Sequence, residues 1–239
     1  MSEHIFPVPE AISATAHINA AKYEAMQHEV AQNPDSFWRR EAQRVDWIKP
    51  FTTVDNSSFH ESDFGIRWFE DGVLNVSANC IDRHLATKGD QTAIIWEGDS
   101  PHEQRVISYR ELHEEVCRFA NVLKANGAQK GDRITIYMPM IPEAIVAMQA
   151  VARIGAVHSV IFGGFSAESL HTRIEDAQAT LVITADGGYR KGRASALKPA
   201  VDMALDGGKC PSGKNGLVGK RTGQEVGWVE GRDIDWGTA

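Results

Sequence analysis

The segment Asp132–Arg193 reads DRITIYMPMIPEAIVAMQAVARIGAVHSVIFGGFSAESLHTRIEDAQATLVITADGGYRKGR, and it decides the fold. Three short apolar runs alternate in it with two helical patterns, and the runs are Ile134–Met138, Val157–Phe162 and Leu181–Thr184. Runs that are apolar at consecutive positions are typical of parallel strands covered by helices on both faces. The segment therefore predicts a βαβαβ unit with right-handed crossovers.

The two connecting segments carry helix boundary signals. Pro142 stands where the first residue of a helix tolerates the loss of an N–H group, and Gly155 ends that helix. Ser166 can cap the second helix. Ligands of such sheets bind at the carboxyl ends of the strands, which here are Gly163–Gly164 and Asp186–Gly188.

Composition excludes several functional classes. The 239 residues carry a net charge of −7, which argues against a general nucleic-acid binder. The three cysteines are far apart and show no metal-ligand spacing, so we expect no metal site and a reducing, cytoplasmic compartment. The N-terminus does not resemble a signal peptide, and no run approaches the roughly 18 apolar residues of a membrane span. We therefore expect neither a nucleic-acid nor a membrane partner.

The first ninety residues predict short elements around loops. We expect a mobile arm over Met1–Ile18, helices over Ala20–Ala31 and Ser36–Trp47, a strand over Ile66–Phe69, and a helix over Asn75–Thr87. Asp35 or Ser36 is the candidate cap of the second helix. Its aromatic residues indicate packing rather than binding, and His84 has no nucleophile beside it in sequence.

Signals on either side of the central segment predict further elements. Thr92–Trp96 and Arg105–Ile107 form an antiparallel hairpin, and the capping box that begins at Ser108 opens an amphipathic helix. Ala194–Leu205 has a helical pattern. The tail from Asp206 to Ala239 is rich in Gly, Lys and Asp, so it predicts loop rather than strand.

Two sequences at strand ends are candidate phosphate sites. Gly163 and Gly164 lead into a helix N-terminus, where backbone N–H groups favour an anion, although a tight turn would need the same small residues. The run Arg190-Lys191-Gly192-Arg193 follows a strand and precedes a predicted helix. Guanidinium groups grip phosphates by paired hydrogen bonds, but a solvated charged surface is the other interpretation. Paired carboxylates, a Ser/His/Asp order and a metal-ligand cluster are not discernible, so no catalytic residue is predicted.

Several longer motifs resemble one family. They are DWIKPF from Asp46, WFEDG from Trp68, LNVSANCIDRHL from Leu74, IWEGD from Ile95, YMPMIPEA from Tyr137 and ARIGAVHSVIFGGFS from Ala152. Together they are similar to the N-terminal third of AMP-forming acetyl-coenzyme A synthetases, over about residues 23–205. The resemblance implies the α/β fold of the adenylate-forming (ANL) superfamily: a Rossmann-like parallel sheet, preceded by a short helical extension. It divides the chain into that extension, residues 1–80, and the first part of the AMP-binding domain, residues 81–239.

The resemblance also implies a reaction and its ligands. Enzymes of this family convert acetate and ATP, with Mg²⁺, into acetyl-adenylate and pyrophosphate, and coenzyme A (CoA) then takes the acetyl group. The nucleotide end of CoA lies in them against the positions that match Gly164, Arg190, Lys191, Gly192 and Arg193. The family's phosphate loop and catalytic lysine lie C-terminal to the resembled segment. We therefore expect this chain alone to contribute to CoA binding but to be inactive, and to use acetate and ATP only with those segments.

Some alternatives remain open on sequence alone. Propionate–CoA ligases share much of the resembled segment, and a non-catalytic α/β binding or assembly module would also fit the pattern. The chain departs from the family at Cys210–Lys220, where a β-branched strand is expected and three glycines stand instead. Because glycine weakens strands, that part of the sheet is predicted to be irregular.

Overall fold

The computed structural model describes residues 6–206, 213 and 215–239, and the chain divides into two compact units between Leu74 and Asn75. The helices of the first unit are α1 (Glu10–Thr15), α2 (Ala20–Gln32) and α3 (Pro34–Glu41), and a 3₁₀ turn (Ala42–Arg44) follows. Helix α2 confirms its prediction. Helix α1 lies in the segment predicted as an arm, and it buries none of its residues, so no apolar periodicity marked it.

The helix predicted over Ser36–Trp47 is present as α3, but both of its ends differ from the prediction. Its cap is Asn33, whose side chain accepts from the backbone N–H of Ser36 at 3.0 Å, and not Asp35 or Ser36. The helix gives way to the 3₁₀ turn well before Trp47. The indole N–H of Trp47 donates to the carbonyl of Ala42 at 2.9 Å, which closes the chain back on the end of the helix.

The strand predicted over Ile66–Phe69 is wrong. This segment forms only isolated bridges, Asp55 with Trp68 and Ser58 with Gly65. Phe69 has a φ of 50°, a left-handed conformation that ends extended pairing. The rings of Phe51 and Phe69, with centroids 4.7 Å apart, pack on each other instead. Of the aromatic residues in the predicted helix, Phe37 is buried and Trp47 packs on Phe51 with centroids 4.9 Å apart, in line with the packing interpretation.

The second unit begins with an interrupted helix. The single helix predicted over Asn75–Thr87 is three pieces: α4 (Val76–Cys80), a 3₁₀ turn (Asp82–His84) and α5 (Leu85–Lys88). Ile81 interrupts the helix with φ −124° and ψ −63°, and its side chain is buried in the core. The helix is therefore broken at the residue whose side chain enters the core.

The next elements confirm their predictions. Strands β1 (Thr92–Glu97) and β2 (Gln104–Ser108) form an antiparallel hairpin. Helix α6 (Tyr109–Ala125) follows, and Ser108 and Glu111 form its complete capping box. The apolar face of α6 is buried in the core.

A five-stranded parallel sheet is the centre of the second unit. Its order is β4-β3-β5-β8-β9, and its strands are β3 (Arg133–Met138), β4 (Val157–Phe162), β5 (Leu181–Ala185), β8 (Asn215–Gly219) and β9 (Asp233–Asp235). Helix α7 (Pro142–Arg153) connects β3 to β4, and α8 (Ala167–Ala177) connects β4 to β5. The predicted βαβαβ unit is thus confirmed, with β3 and β5 almost fully buried.

The two faces of the sheet bury separate apolar cores. Ile134 and Ile136 of β3 pack with α6 and α7, whereas Tyr137 packs with α8 and with α9 (Lys198–Leu205) on the other face. Strand β4 differs from the prediction of a strand buried on both faces. It is an edge strand, and its residues Val160 and Phe162 are exposed.

The C-terminal part differs from its predictions. The helix predicted over Ala194–Leu205 is present as α9, but it begins only at Lys198. The residues before it belong to β7 (Arg193–Ala196), which pairs antiparallel with β6 (Gly187–Arg190). The tail also contains strands, because β8 pairs parallel with β5 and β9 pairs with β8. Leu217 and Val218 of β8 are buried, so two apolar residues suffice for a strand held between neighbours. The sheet was predicted to be irregular over Cys210–Lys220, and this is wrong for residues 215–219, which pair with β5 in continuous register. Residues 210–212 and 214 of that segment lie outside the described residues.

Candidate ligand site at the carboxyl edge of the sheet

The Gly163–Gly164 loop and the residues that follow β5 lie at the same edge of the sheet, and the basic run is the turn at the far end of the β6–β7 hairpin that starts there. Strands β3, β4 and β5 are parallel and in register, so the residues that follow them meet at one edge. At Gly163 a Cβ atom would lie 3.2 Å from the carbonyl oxygen of Met138 and 3.6 Å from the side chain of Leu197. The double-glycine loop after β4 therefore lies between the end of β3 and the residue that follows β7.

Two side chains contact this loop, the buried Tyr137 and the exposed Arg173. The hydroxyl of Tyr137 donates to the carbonyl of Phe165 at 2.9 Å, and the guanidinium of Arg173 covers the Phe165 ring at 4.7 Å. At Gly164 a Cβ atom would lie 2.8 Å from the ring of Phe162. The position next to the helix N-terminus thus has no room for a side chain unless that ring moves.

The basic run forms the turn of the β6–β7 hairpin. Lys191 and Gly192 occupy the turn with φ of 53° and 72°, the pair of left-handed residues that suits a two-residue hairpin. Arg190 and Arg193 are directly opposite in the register. Opposed residues of an antiparallel pair point to the same face, with Cβ atoms about 4.5–5.5 Å apart, so the two guanidinium groups can reach one phosphate. The expected helix start beside this run is absent from this part of the described chain, since β7 occupies it.

A carboxylate from another hairpin holds the turn in place. Asp99, in the connection between β1 and β2, accepts from the backbone N–H of Lys191 at 2.9 Å and from that of Gly192 at 2.5 Å. The N–H groups of the turn are therefore already bonded to an anion of the protein. The charges that remain exposed to a ligand are the side chains of Arg190, Lys191 and Arg193, which line a groove of about 460 Å³.

A second carboxylate, which is buried, fixes the base of the hairpin. Asp186, directly after β5, accepts from the backbone N–H groups of Gly187, Arg221, Thr222 and Gly223 at 2.7–3.1 Å. Burial acts to raise the pKa of Asp186, but the backbone hydrogen bonds outweigh it and hold that pKa below its ordinary value. Asp186 is therefore ionised, and it ties β6 to the loop after β8.

Arg221 connects this loop to both hairpins. Its guanidinium lies 5.1 Å from the ring centroids of Trp96 on β1 and Tyr189 on β6, and it makes two hydrogen bonds of 2.5 Å to Glu103. Those hydrogen bonds lower the pKa of Glu103 from its ordinary value. Trp96, Glu103 and Arg221 also line a cavity of about 310 Å³, with Trp236 of the loop after β9 on another side.

The sequence identified the cations of the site but not what positions them. Arg221 is not marked by any motif. Asp99 ends the motif IWEGD, but nothing in that motif indicates its contact, because it lies 92 positions before the turn it holds. Asp186 had a weak signal, since a single carboxylate follows a fully buried strand. Across residues 6–206, 213 and 215–239, no group of three or more His, Cys, Asp or Glu side chains is arranged to hold a metal ion. No chemistry at this edge is therefore assigned to a metal held by these residues.

Helices of the described residues are all too short or too polar to cross a membrane.

Family models cover most of the chain. The model described as acetyl-coenzyme A synthetase N-terminus matches residues 23–80, and the model described as AMP-binding enzyme matches residues 81–230. The acetyl-coenzyme A synthetase of Novosphingobium aromaticivorans is 55% identical over 240 residues, which cover 100% of this chain and 37% of that protein. That of Methylocella silvestris is 56% identical over 236 residues, which cover 98% of this chain and 36% of that protein.

A solved structure has the same fold. The acetoacetyl-CoA synthetase from Streptomyces lividans superimposes with a TM-score of 0.79 at 26% identity, over 96% of this chain and 34% of that chain. The chain thus spans only about a third of the length of the relatives it matches. Because the AMP-binding model matches more than half of its residues, this chain belongs to the AMP-binding enzyme family and resembles the N-terminal part of acetyl-coenzyme A synthetases.

Proposed function

We propose that this chain is the N-terminal part of an AMP-forming acetate–CoA ligase. Such an enzyme joins acetate to the α-phosphate of ATP with release of pyrophosphate, and then transfers the acetyl group to the thiol of CoA. Support comes from the 55% identity to curated acetyl-coenzyme A synthetases over the entire chain. Residues 1–80 are the N-terminal extension in this proposal, and residues 81–239 are the first part of the AMP-binding domain.

The site proposal rests on one observation. Arg190 and Arg193 lie opposite each other on a hairpin whose turn is held by hydrogen bonds to Asp99. Arg190 and Arg193, with Lys191 between them, offer three exposed cations in a protein of net charge −7. CoA carries phosphates, and guanidinium groups bind phosphate oxygens in pairs. We assign the nucleotide end of CoA to these side chains and to Gly164.

The contacts of Asp99 refine the role of Gly192. Since the N–H groups of Lys191 and Gly192 are bonded to that carboxylate, a phosphate would meet the side chains and not the backbone of the turn. Gly192 then contributes its left-handed conformation, which lets the strands turn back so that the arginines lie opposite each other.

Magnesium, ATP and acetate belong to the activity of the whole ligase in this proposal. The described residues contain no carboxylate cluster arranged for a metal, and we assign no step of the reaction to a metal held by them. A cytoplasmic location stays a prediction from the cysteine usage.

Calorimetric titration with CoA tests the site. The Arg190→Ala/Arg193→Ala variant is expected to bind at least about tenfold more weakly, because each charge-assisted hydrogen bond contributes about 1.5–3 kcal/mol. Arg110→Ala/Arg118→Ala on α6 is the matched control, which removes the same charge from outside the hairpin. Equal affinity of the hairpin variant and the original chain would remove the basic run from the site.

A second measurement tests the incompleteness of the chain. We expect no acetate-dependent release of pyrophosphate from ATP by this chain alone. Release at a rate above that of a sample without acetate would show that the segment is sufficient for adenylation, whatever the result with CoA.

A further inference from the structure

A cysteine, a histidine and an arginine lie together away from the carboxyl edge of the sheet. Cys117 and His113 are one turn apart on α6, and the sulfur lies 3.5 Å from His113 Nε2. Arg153, at the end of α7, donates to the same Nε2 at 3.2 Å. Cys117 is partly buried, and nothing in the proposed ligase chemistry uses this group.

The contacts give His113 the geometry of a base. His113 Nε2 lies between the Arg153 guanidinium, which can only donate, and the Asp82 carboxylate, which can only accept. It accepts from Arg153 while it carries its lone pair, and it donates to Asp82 once it has taken up a proton. The thiol of Cys117 can pass its proton to this atom. Asp82 Oδ1 lies 3.3 Å from Nε2 and would stabilise the imidazolium that forms.

Arg153 is itself held rigidly. Its guanidinium makes hydrogen bonds of 2.8 Å and 2.6 Å to the two carboxylate oxygens of Asp82, and one of 3.2 Å to the hydroxyl of Ser77. This bidentate pair fixes the guanidinium beside the imidazole. The arrangement therefore does not depend on a flexible surface side chain.

The sulfur opens onto a cationic groove of about 680 Å³. The polar side chains that line it are Lys124, Lys130, Arg153, Asn121 and Gln129, together with Cys117. None of the lining side chains of this groove, all of them described, is acidic. Two carboxylates contact residues that line it: that of Asp82, paired with Arg153, and that of Asp132, which accepts from the backbone N–H of Gln129 at 2.8 Å.

We propose that Cys117 is a thiolation site for small anionic disulfides. The Cys117 thiol transfers its proton to His113 Nε2, and the thiolate attacks one sulfur of the disulfide RS–SR. The S–S bond breaks, the mixed disulfide Cys117–S–SR forms, and RS⁻ leaves and takes up a proton. The lysines of the groove bind the carboxylates of the incoming molecule.

Cys80 serves as an internal control for the reactivity of Cys117. It is exposed on α4, whereas Cys117 is partly buried, so accessibility alone would make Cys80 the faster of the two. Preference for Cys117 would therefore have to come from its surroundings. Cys210 lies outside the described residues, and peptide mapping separates its products from those of the other two.

The test compares two disulfide probes on the folded chain. The anionic probe is 5,5′-dithiobis(2-nitrobenzoate), and the cationic probe is cystamine, with each product located by peptide mass mapping. We expect the anionic probe to modify Cys117 about tenfold faster than Cys80 at low salt, in line with electrostatic steering. The preference should disappear at about 1 M salt, where the screening length is about 3 Å. Cystamine should show no such preference.

Variants separate charge from simple exposure. Lys124→Gln/Lys130→Gln is expected to slow the anionic probe at Cys117 several-fold and to leave cystamine unaffected or faster. Lys88→Gln/Lys220→Gln is the matched control, because it removes two lysines that do not line the groove. His113→Gln should slow both probes at Cys117. Equal rates at Cys80 and Cys117, or equal effects of the two lysine pairs, would overturn the proposal.

Discussion

The carboxylate of Asp99 accepts a hydrogen bond of 2.9 Å from the backbone N–H of Lys191, and thereby joins the connection of one hairpin to the turn of another. Its second oxygen accepts from Gly192 at 2.5 Å. The two cations that flank this turn, Arg190 and Arg193, are therefore presented by a turn that is fixed from outside. A mobile turn would have to be ordered when the ligand binds, which weakens binding.

Replacing Asp99 tests this positioning role. Asp99→Ala is expected to lower the affinity for CoA about threefold to tenfold, since binding must then order the turn. Asp99→Asn keeps one acceptor oxygen and should recover most of the affinity. The measurement is calorimetric titration of the three proteins. A gain of affinity in both variants would mean instead that the negative charge opposes the ligand and that positioning is secondary.

The close approach of β6 and β7 predicts a strict requirement for glycine at position 187. A Cβ atom there would lie 2.5 Å from the carbonyl oxygen of Ser195. We expect Gly187→Ala to destabilise the chain by about 1–3 kcal/mol, the usual cost of overpacking. Gly219→Ala is the matched control, because its nearest atom, the Thr184 carbonyl oxygen, is 3.7 Å away. Urea denaturation followed by circular dichroism gives both values, and equal stability of the two variants would contradict the expectation.

Asp71 in the first unit should titrate at unusually low pH. The hydroxyl of Thr52 donates to its carboxylate at 2.5 Å and the backbone N–H of Thr52 at 2.8 Å, and these hydrogen bonds lower the pKa of Asp71 to about 2. The unfolded chain, with its ordinary pKa, binds more protons between about pH 4 and pH 2. The stabilisation is therefore complete above this window and is lost as the pH falls through it.

Carbon-13 NMR titration of the carboxyl groups checks this value. Thr52→Val removes the hydroxyl donor, so the pKa of Asp71 should rise towards 3.8, its unperturbed value. Thr53→Val is the control, because Thr53 contributes its backbone N–H, at 3.3 Å, and that group remains. An unchanged titration of Asp71 in Thr52→Val would remove the hydroxyl as the main cause.

A network of ion pairs joins helix α9 to strand β9. The ammonium of Lys198, which is 0% exposed, lies 2.6 Å from Asp202 and 2.7 Å from Asp233. Lys198→Met should destabilise the chain by about 3–5 kcal/mol, because it removes one of the two cations that pair with the buried carboxylate of Asp233. Lys88→Met at an exposed position should change stability by less than about 0.5 kcal/mol. Denaturant unfolding of both variants measures the difference, and a small loss at Lys198 would mean that Arg232 alone balances the charge.

The central fold could be predicted because its strands consist of consecutive apolar residues. Strands β3 and β5 are buried over nearly all their length, and the helix after β2 has both a capping box and one apolar face. Strand β8 was missed because glycines stand in it. At Gly216 a Cβ atom would lie 3.3 Å from Asp233 Oδ1, so the glycine makes room for the buried ion network. That reason depends on a contact with a distant residue and cannot be seen locally.

Only part of the site could be predicted from the sequence. Arg190 and Arg193 stand out as a charged run in the sequence, but their opposition depends on β7, whose residues Ala194 and Ala196 favour a helix when considered alone. Pairing with β6 overrides that preference. The partners Asp99 and Arg221 come from elements far away in the chain, and only the folded arrangement identifies them.

The stacking of Arg221 between Trp96 and Tyr189 has an optical consequence. Tyr189 is adjacent to Arg190 in sequence. A ligand that moves Arg190 would therefore displace Tyr189, and with it the Arg221 guanidinium that lies over the Trp96 indole. The indole N–H is anchored by its 2.8 Å hydrogen bond to the Met140 carbonyl, so a change in this contact would come from movement of the Arg221–Glu103 pair. Trp96 fluorescence would then report occupancy at the hairpin, and the signal would vanish in a Trp96→Phe protein.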